Sequence, residues 1–399
     1  MALARAVNNV YIVSAKRTPF GTFGGKLKSK TCTDLMEIAA RSALESGKVN
    51  PKIVNSVIVG NVLQSSSDSC YIARHVGLRC GVPSEAPAYT VNRLCGSGFQ
   101  AIVNGAQEIM LGDCNVVLVG GSENFSQAPY AVRDIRFGTK LGQELKLEDV
   151  IFGVLTDVYT KLPMGAAAET FAEQDKITRE NCDKYAFQSQ ARWKKAHAAG
   201  VFKAEIAPVT VDGENGPEIF EVDETPRPQT TMETLTNMPA LFKNGGRLTQ
   251  GNAAAFCDGA AALVLASEQA VKEHKLNPLA RLVAYGIAGC DPKEMAIGPV
   301  PASLAALKAI GKEVKDMDII EVMEAYAAQY LDVVDKLRLN KDICNINGGA
   351  IALGHPFAAT GARITGHLAH ELNRQKKRFA MGSTCIGGGQ GMTVILEKC

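Results

Sequence analysis

The chain writes one order of elements twice, and that repetition restricts its fold more than any other feature. In the first half, the apolar run Val54-Asn-Ser-Val-Ile-Val-Gly60 precedes a helical stretch over Cys70–Gly81. The extended Ala88–Val91 and a helix over Gly98–Leu111 follow. In the second half, Asp316-Met-Asp-Ile-Ile-Glu-Val322 precedes a helix over Ala325–Leu337, the extended Cys344–Asn347 and a helix over Gly361–Arg374. Strands alternating with helices require a parallel or mixed sheet covered on both faces. Two such halves predict a pseudo-twofold pair of α/β units, and ligands favour the junction between units of this kind.

Further strands are expected at Asn9–Ser14, Val116–Gly120 (broken by Gly120-Gly121), within Gly251–Ser267, at Arg378–Ser383 and at Met392–Glu397. Helical spacing of apolar residues marks Asp34–Ser46 and Pro301–Ile310. Between 122 and 250 the pattern changes to prolines (129, 163, 208, 217, 226, 228), polar stretches and one strong helix, Arg179–Ala199. That segment reads as an insertion lying over a site and adding nothing to the main sheet.

Composition narrows the function. Lys and Arg total 43 against 41 Asp and Glu, so neither a nucleic-acid surface nor a polybasic membrane contact is indicated. No apolar run is long enough to span a bilayer. Eleven cysteines contain no C-x-x-C pair, which reads as reduced thiols and neither a disulfide framework nor a zinc cage. The first 33 residues carry Arg5, Lys16, Arg17, Lys26, Lys28 and Lys30 but no acid, an organelle-import bias, although Asn9–Ser14 already reads as part of the fold.

Reactive side chains fall at matching places in the two halves. Cys95 lies where an extended segment meets Gly96-Ser-Gly98 and a helix. Free N–H groups and the positive helix end gather there and favour a thiolate. Gly354-His355-Pro356 holds the corresponding position in the second half, Cys385-Ile386-Gly387 ends a strand, and Glu324 opens a helix. A lone cysteine is more often buried and inert. Two cysteines and a histidine at strand-to-helix junctions fit nucleophilic catalysis, one thiol attacking and the other moving a proton.

Other patterns are weaker. Gly96-x-Gly98-x-x-Ala101 formally matches a dinucleotide fingerprint but sits outside the first βα turn, and Gly387–Gly391 lacks the Lys-Ser/Thr of a phosphate loop. His367-Leu-Ala-His370-Glu371 has the wrong order for a zinc motif and reads as the solvated face of an amphipathic helix. A ketoacyl synthase would carry a histidine where this chain has Cys385.

Cys95-Gly-Ser-Gly, Gly354-His-Pro, Cys385-Ile-Gly and Glu324-Ala-Tyr together resemble the thiolase family, from Ala15-Lys-Arg-Thr-Pro-Phe-Gly21 to the last strand. Asn61-Val-Leu-Gln-Ser-Ser-Ser-Asp68, Gln127-Ala-Pro-Tyr130 and Leu162-Pro-Met-Gly165 are most similar to its mitochondrial 3-ketoacyl-CoA thiolase branch. The resemblance implies a five-layered α-β-α-β-α fold. Its N-terminal half would comprise 1–121 with 251–275, its C-terminal half 276–399, and 122–250 would form a loop domain for CoA binding and oligomer contacts. It implies ping-pong acyl transfer between a 3-ketoacyl-CoA and CoA, or the reverse condensation, in a mitochondrial matrix homodimer or homotetramer (cytosolic in the alternative). CoA is then a substrate, and no metal or other cofactor is needed.

In that reading Cys95 is the nucleophile, His355 its base and Cys385 the proton donor, while the N–H groups of Cys95 and Gly387 hold the oxyanion. Met164, Arg227, Thr234, Ala254, Phe256, Met323 and Glu324 would line the CoA and substrate path. Three departures stand out. Met323 replaces the family's usual Asn (or His), which holds a water against the thioester oxygen, and Tyr326 ends the motif where Phe is usual. Ala254 replaces a serine hydroxyl, with Phe256 adding bulk, and Ala358 replaces a glycine after Phe357. They leave a second reading, a thiolase-like paralogue of little activity that binds acyl-CoA or partners another subunit.

Overall fold

The computed structural model describes residues 2–399. Each half contributes five extended segments in the same spatial order, third-second-fourth-fifth-first. In the first half the row is Ala88–Val91, Ser56–Gly60, Val116–Glu123, Cys257–Ser267 and Val10–Arg17. In the second it is a single bridge at Cys344, then Ile319–Val322, Phe379–Ile386, Gln390–Lys398 and Ala280–Gly289. The first strands of the two rows meet antiparallel, with Ala280 opposite Ile12 and Arg281 opposite Tyr11, joining both rows edge to edge. A further strand, Ala2–Ala6, pairs with Ala280–Gly289.

Alternation along the strands explains the layers. Val117 and Val119, with Ala261, Leu263 and Leu265, point into a core shared with Met392, Val394 and Leu396 of the other row. Helices Ser97–Leu111 and Phe357–Arg374 fill this space between the sheets. Val116, Leu118 and Val264 point the other way, onto helix Cys32–Ser46. Ile395 and Met381 meet helices Pro299–Ala309 and Ala327–Leu337 on the outer side of the second row. Helix, sheet, helix, sheet, helix is therefore the stacking order, as the resemblance implied. Each fully buried Leu, Ile or Val contributes about 1.5–3 kcal/mol.

Several expectations need correction. Gly120-Gly121 does not end its strand, which runs to Glu123. The two glycines serve close approach, since a Cβ would strike the Ala261 carbonyl at Gly120 and the Ala358 carbonyl at Gly121. Strand Ala280–Gly289 escaped the sequence reading because it is buried on both faces and shows no alternation. Segment 122–250 does hold helix Arg179–Ala198, but also helix Met164–Gln174 and three two-stranded ribbons. The His367 face of the last helix is not solvated: His367 is 6 % and Glu371 1 % exposed. The His367 ring lies between Glu205 (2.8 Å) and Asn347 (3.1 Å).

Arg17 fastens this insertion to the first strand. Its guanidinium donates to both oxygens of Asp223 (2.6 and 3.0 Å) and to Glu205 (2.8 Å), all three residues being buried. Burial alone would lower its pKa, but the charges of Asp223 and Glu205 outweigh that and raise it. Arg17→Met leaves the buried Asp223 carboxylate without its charge partner and Glu205 with His367 alone, and is expected to cost about 3–5 kcal/mol. Calorimetry should show a fall in Tm of several degrees, and an unchanged Tm would refute this role.

Candidate active site

Cys95 sits on a strained turn between strand Ala88–Val91 and helix Ser97–Leu111. Leu94, just before it, has φ 47°, a left-handed conformation that costs a branched side chain energy and marks functional turns. The turn is held at both ends. Asn92 Oδ1 accepts from the Leu94 N–H (3.0 Å), while the Ser97 hydroxyl accepts from the Arg93 N–H (2.9 Å) and donates to the Leu94 carbonyl (2.7 Å). Strain plus clamping fixes the sulfur in place.

That sulfur is 4 % exposed, and the N–H groups of Gly387 and of Cys95 itself point at it. The expectation of a helix-end thiolate fails in the ligand-free protein. Burial pushes the thiol up to about 12, the two N–H groups lower it only in part, and the Glu123 carboxylate opposes ionisation further. The second thiol, Cys385, is fully buried at the end of strand Phe379–Ile386. Burial first, and then the charge of Cys95, raise its pKa well above that of a free cysteine. Cys95, Cys385, Met164, Met323, Phe357 and Ala358 belong to one continuous core.

His355 enters from the second half on the turn before helix Phe357–Arg374. Gly354 beside it has φ 89°, and a side chain there would strike the Cys257 sulfur, so only glycine fits. The His355 N–H donates to the Ala255 carbonyl (2.9 Å), and ring Nδ1 lies 2.6 Å from the Thr360 hydroxyl. Ring Nε2 is buried without a partner among the described residues. Burial, aided by the Arg363 charge, pushes the imidazole down to about 3, so it is neutral at physiological pH. The tautomer that donates Nδ1–H to Thr360 leaves a lone pair on Nε2, the form a base requires.

The remaining sequence-named residues divide into two groups. Met164 opens helix Met164–Gln174, and its methyl covers Gly387. Phe256 packs on Phe125 (ring centroids 5.1 Å), which meets Phe357 edge-on (4.9 Å), and Phe357 lies 4.7 Å from the His355 ring. The Ala254 N–H donates to the Ala325 carbonyl (3.0 Å), placing it beside the Met323–Tyr326 segment. Met323 is 1 % exposed, and its N–H donates to the Ser383 carbonyl (2.9 Å) two residues before Cys385.

The second group lies outside this core. Arg227 is half-buried on the insertion, its N–H donating to Gln190 (2.8 Å), and Thr234 is exposed with its hydroxyl against Thr231 (2.9 Å). Glu324 corrects the sequence reading. It does not open the helix, which starts at Ala327: fully buried, it accepts from Tyr185 (2.5 Å), Ser189 (3.0 Å), Asn345 (2.7 Å) and the Ile351 N–H (2.9 Å). Its place is beneath the site, tying the long helix of the insertion to the second half.

Sequence reading missed Thr360 and Glu123. Thr360 follows His355 by five residues, and its proximity emerges only once the turn is folded. Glu123 is fully buried, accepting from the N–H groups of Leu63 (2.9 Å), Ala358 (3.2 Å) and Val62 (3.3 Å), so it joins the Cys95 half to the His355 turn.

Residues 10–269 match the family model "Thiolase, N-terminal domain" and residues 276–398 match "Thiolase, C-terminal domain". The chain is 58% identical over 398 residues to the mitochondrial 3-ketoacyl-CoA thiolase of Bos taurus and 57% to that of Homo sapiens, covering 100% of each chain. The crystal structure of the human mitochondrial enzyme in complex with CoA superposes with a TM-score of 0.97 at 56% identity, covering 99% of both chains. A Bacillus anthracis acetyl-CoA acetyltransferase superposes at 0.95 with 41% identity, covering 99% of this chain and 100% of that one. Alike from end to end in sequence and in fold, and matched by both family models, the chain belongs to the thiolase family.

Proposed function

We propose that the chain cleaves 3-ketoacyl-CoA with CoA, giving acetyl-CoA and a shortened acyl-CoA, and runs the reverse condensation when acetyl-CoA is abundant. The reading rests on one observation: two thiols and an unpartnered, neutral imidazole border one core, with two N–H groups already facing the Cys95 sulfur. Relatives 57–58% identical carry the name mitochondrial 3-ketoacyl-CoA thiolase, which supports the same substrate class and a place in the mitochondrial matrix.

His355 Nε2 takes the thiol proton as the Cys95 sulfur bonds to the 3-keto carbon. The N–H groups of Cys95 and Gly387 stabilise the resulting oxyanion, each such donor contributing about 3–4 kcal/mol. The bond between C2 and C3 then breaks, its electrons passing to the enolate of acetyl-CoA, and the Cys385 thiol protonates the enolate carbon. In the second half-reaction the thiol of a fresh CoA gives its proton to the Cys385 thiolate and attacks the Cys95 thioester. Shortened acyl-CoA leaves, and the imidazolium returns its proton to Cys95. Charge forms only with substrate present, because both thiols and the imidazole rest neutral.

In this reading CoA would run along Met164, Ala254 and Phe256, with Arg227 and Thr234 of the 122–250 segment toward its outer end. The halves 1–121 with 251–275 and 276–399 each supply part of the chemistry. We assign a homodimer or homotetramer, by family resemblance. No helix among the described residues is long and apolar enough to cross a membrane. The low-activity alternative is not favoured, because relatives 57–58% identical along the whole chain carry the name 3-ketoacyl-CoA thiolase.

With acetoacetyl-CoA and longer 3-ketoacyl-CoAs, the purified protein should show CoA-dependent loss of the 3-keto thioester; CoA binding without turnover at any length would restore the alternative. Cys385→Ala should lower kcat by about 10²–10⁴-fold, as loss of a general acid does, and a change below tenfold would remove Cys385 from the mechanism. In the ligand-free protein, alkylation of Cys95 by iodoacetamide should climb steadily between pH 7 and 9, since its thiol is pushed up to about 12. A plateau near pH 7 would instead reveal a resting thiolate–imidazolium pair.

A further inference from the structure

Met323 and Tyr326 bound one four-residue segment, and against the family pattern one has lost a polar group while the other has gained one. Backbone contacts fix Tyr326 at the wall of the site. It bridges to Ala253, and the next N–H, of Ala327, donates to the Asn252 carbonyl (2.8 Å). Its ring meets Phe242 edge-on at 6.4 Å. Phe242 in turn covers Gly165, whose neighbour Met164 covers Gly387, the residue with its N–H aimed at the Cys95 sulfur. The phenol finds no hydrogen-bond partner among the described residues, and the two ionisable groups whose charges reach it are Cys385 and Cys95.

We propose that the Tyr326 hydroxyl is a further catalytic group, donating a hydrogen bond to the substrate thioester oxygen as cleavage of the C2–C3 bond places negative charge there. It thereby supplies the donor that Met323 lacks. This inference rests on the thiolase reading. Tyr326 moves no proton: burial first, then the two sulfur charges, hold its pKa above that of a free tyrosine, so the O–H persists wherever the enzyme works. Phenylalanine at this place would fill the same space without offering a donor.

Steady-state cleavage of acetoacetyl-CoA by wild type, Tyr326→Phe, and the double variant Met323→Asn/Tyr326→Phe tests the proposal. Tyr326→Phe should lower kcat about 10²-fold, the usual loss of one such donor, with KM changed little. Adding Met323→Asn, which restores the family's own arrangement, should recover most of the loss. Iodoacetamide labelling of Cys95 at the wild-type rate in each variant confirms intact folding. Tyr326→Phe turning over within about twofold of wild type overturns the proposal and leaves the thiolase reading standing. A double variant as slow as the single one assigns the loss to packing and overturns it too. Wild type without turnover overturns the thiolase reading and this inference with it.

Discussion

The Ala358 carbonyl rests against Gly98 and Gly121, and a Cβ at either glycine would collide with it. Gly361 meets the Phe99 backbone in the same way. These contacts let the two central helices, one from each half, touch backbone to backbone. Glu123 adds a polar fastening, accepting the Ala358 N–H together with those of Val62 and Leu63. A methyl group at Gly98 or Gly121 would push apart the two turns that carry Cys95 and His355. Catalytic geometry therefore depends on residues that contribute no chemistry.

Electrostatics follows from the same burial. Inside the core, desolvation keeps Cys95 and Cys385 as thiols and His355 as neutral imidazole. Charge beneath or beside the site is held in pairs such as Arg17 with Glu205 and Asp223, and Arg363 with Glu321, while burial pushes the Glu123 carboxyl up to about 8. A resting site without free charge suits a reaction in which a proton is passed on each time an anion appears. Low local polarity also strengthens every hydrogen bond made to the developing oxyanion.

The repeated run of elements was legible in the sequence because Val54–Gly60 and Ile319–Val322 carry dense apolar patterns with clear turns after them. Cys95, His355 and Cys385 were legible because each interrupts such a pattern beside glycines. Strand Ala280–Gly289 was hidden by burial on both faces. Glu324 misled, since a carboxylate before a helix looks like a dipole partner, whereas its four partners come from distant parts of the chain. The protonation state of Cys95 was misjudged for a related reason: local helix geometry was visible, but the cost of desolvation depends on packing from both halves. His367 followed the same rule, because Glu205 and Asn347 lie far from it in sequence.

The central claim is that one sulfur carries the acyl group at a site assembled from both halves. Incubation with isotopically labelled acetyl-CoA, acid quenching and peptide mapping by mass spectrometry tests it most directly. The account predicts one labelled acetyl group per chain, on the peptide holding Cys95, removed when unlabelled CoA is added before the quench. Label on Cys385 or another of the eleven cysteines, or label that CoA fails to remove, would contradict it.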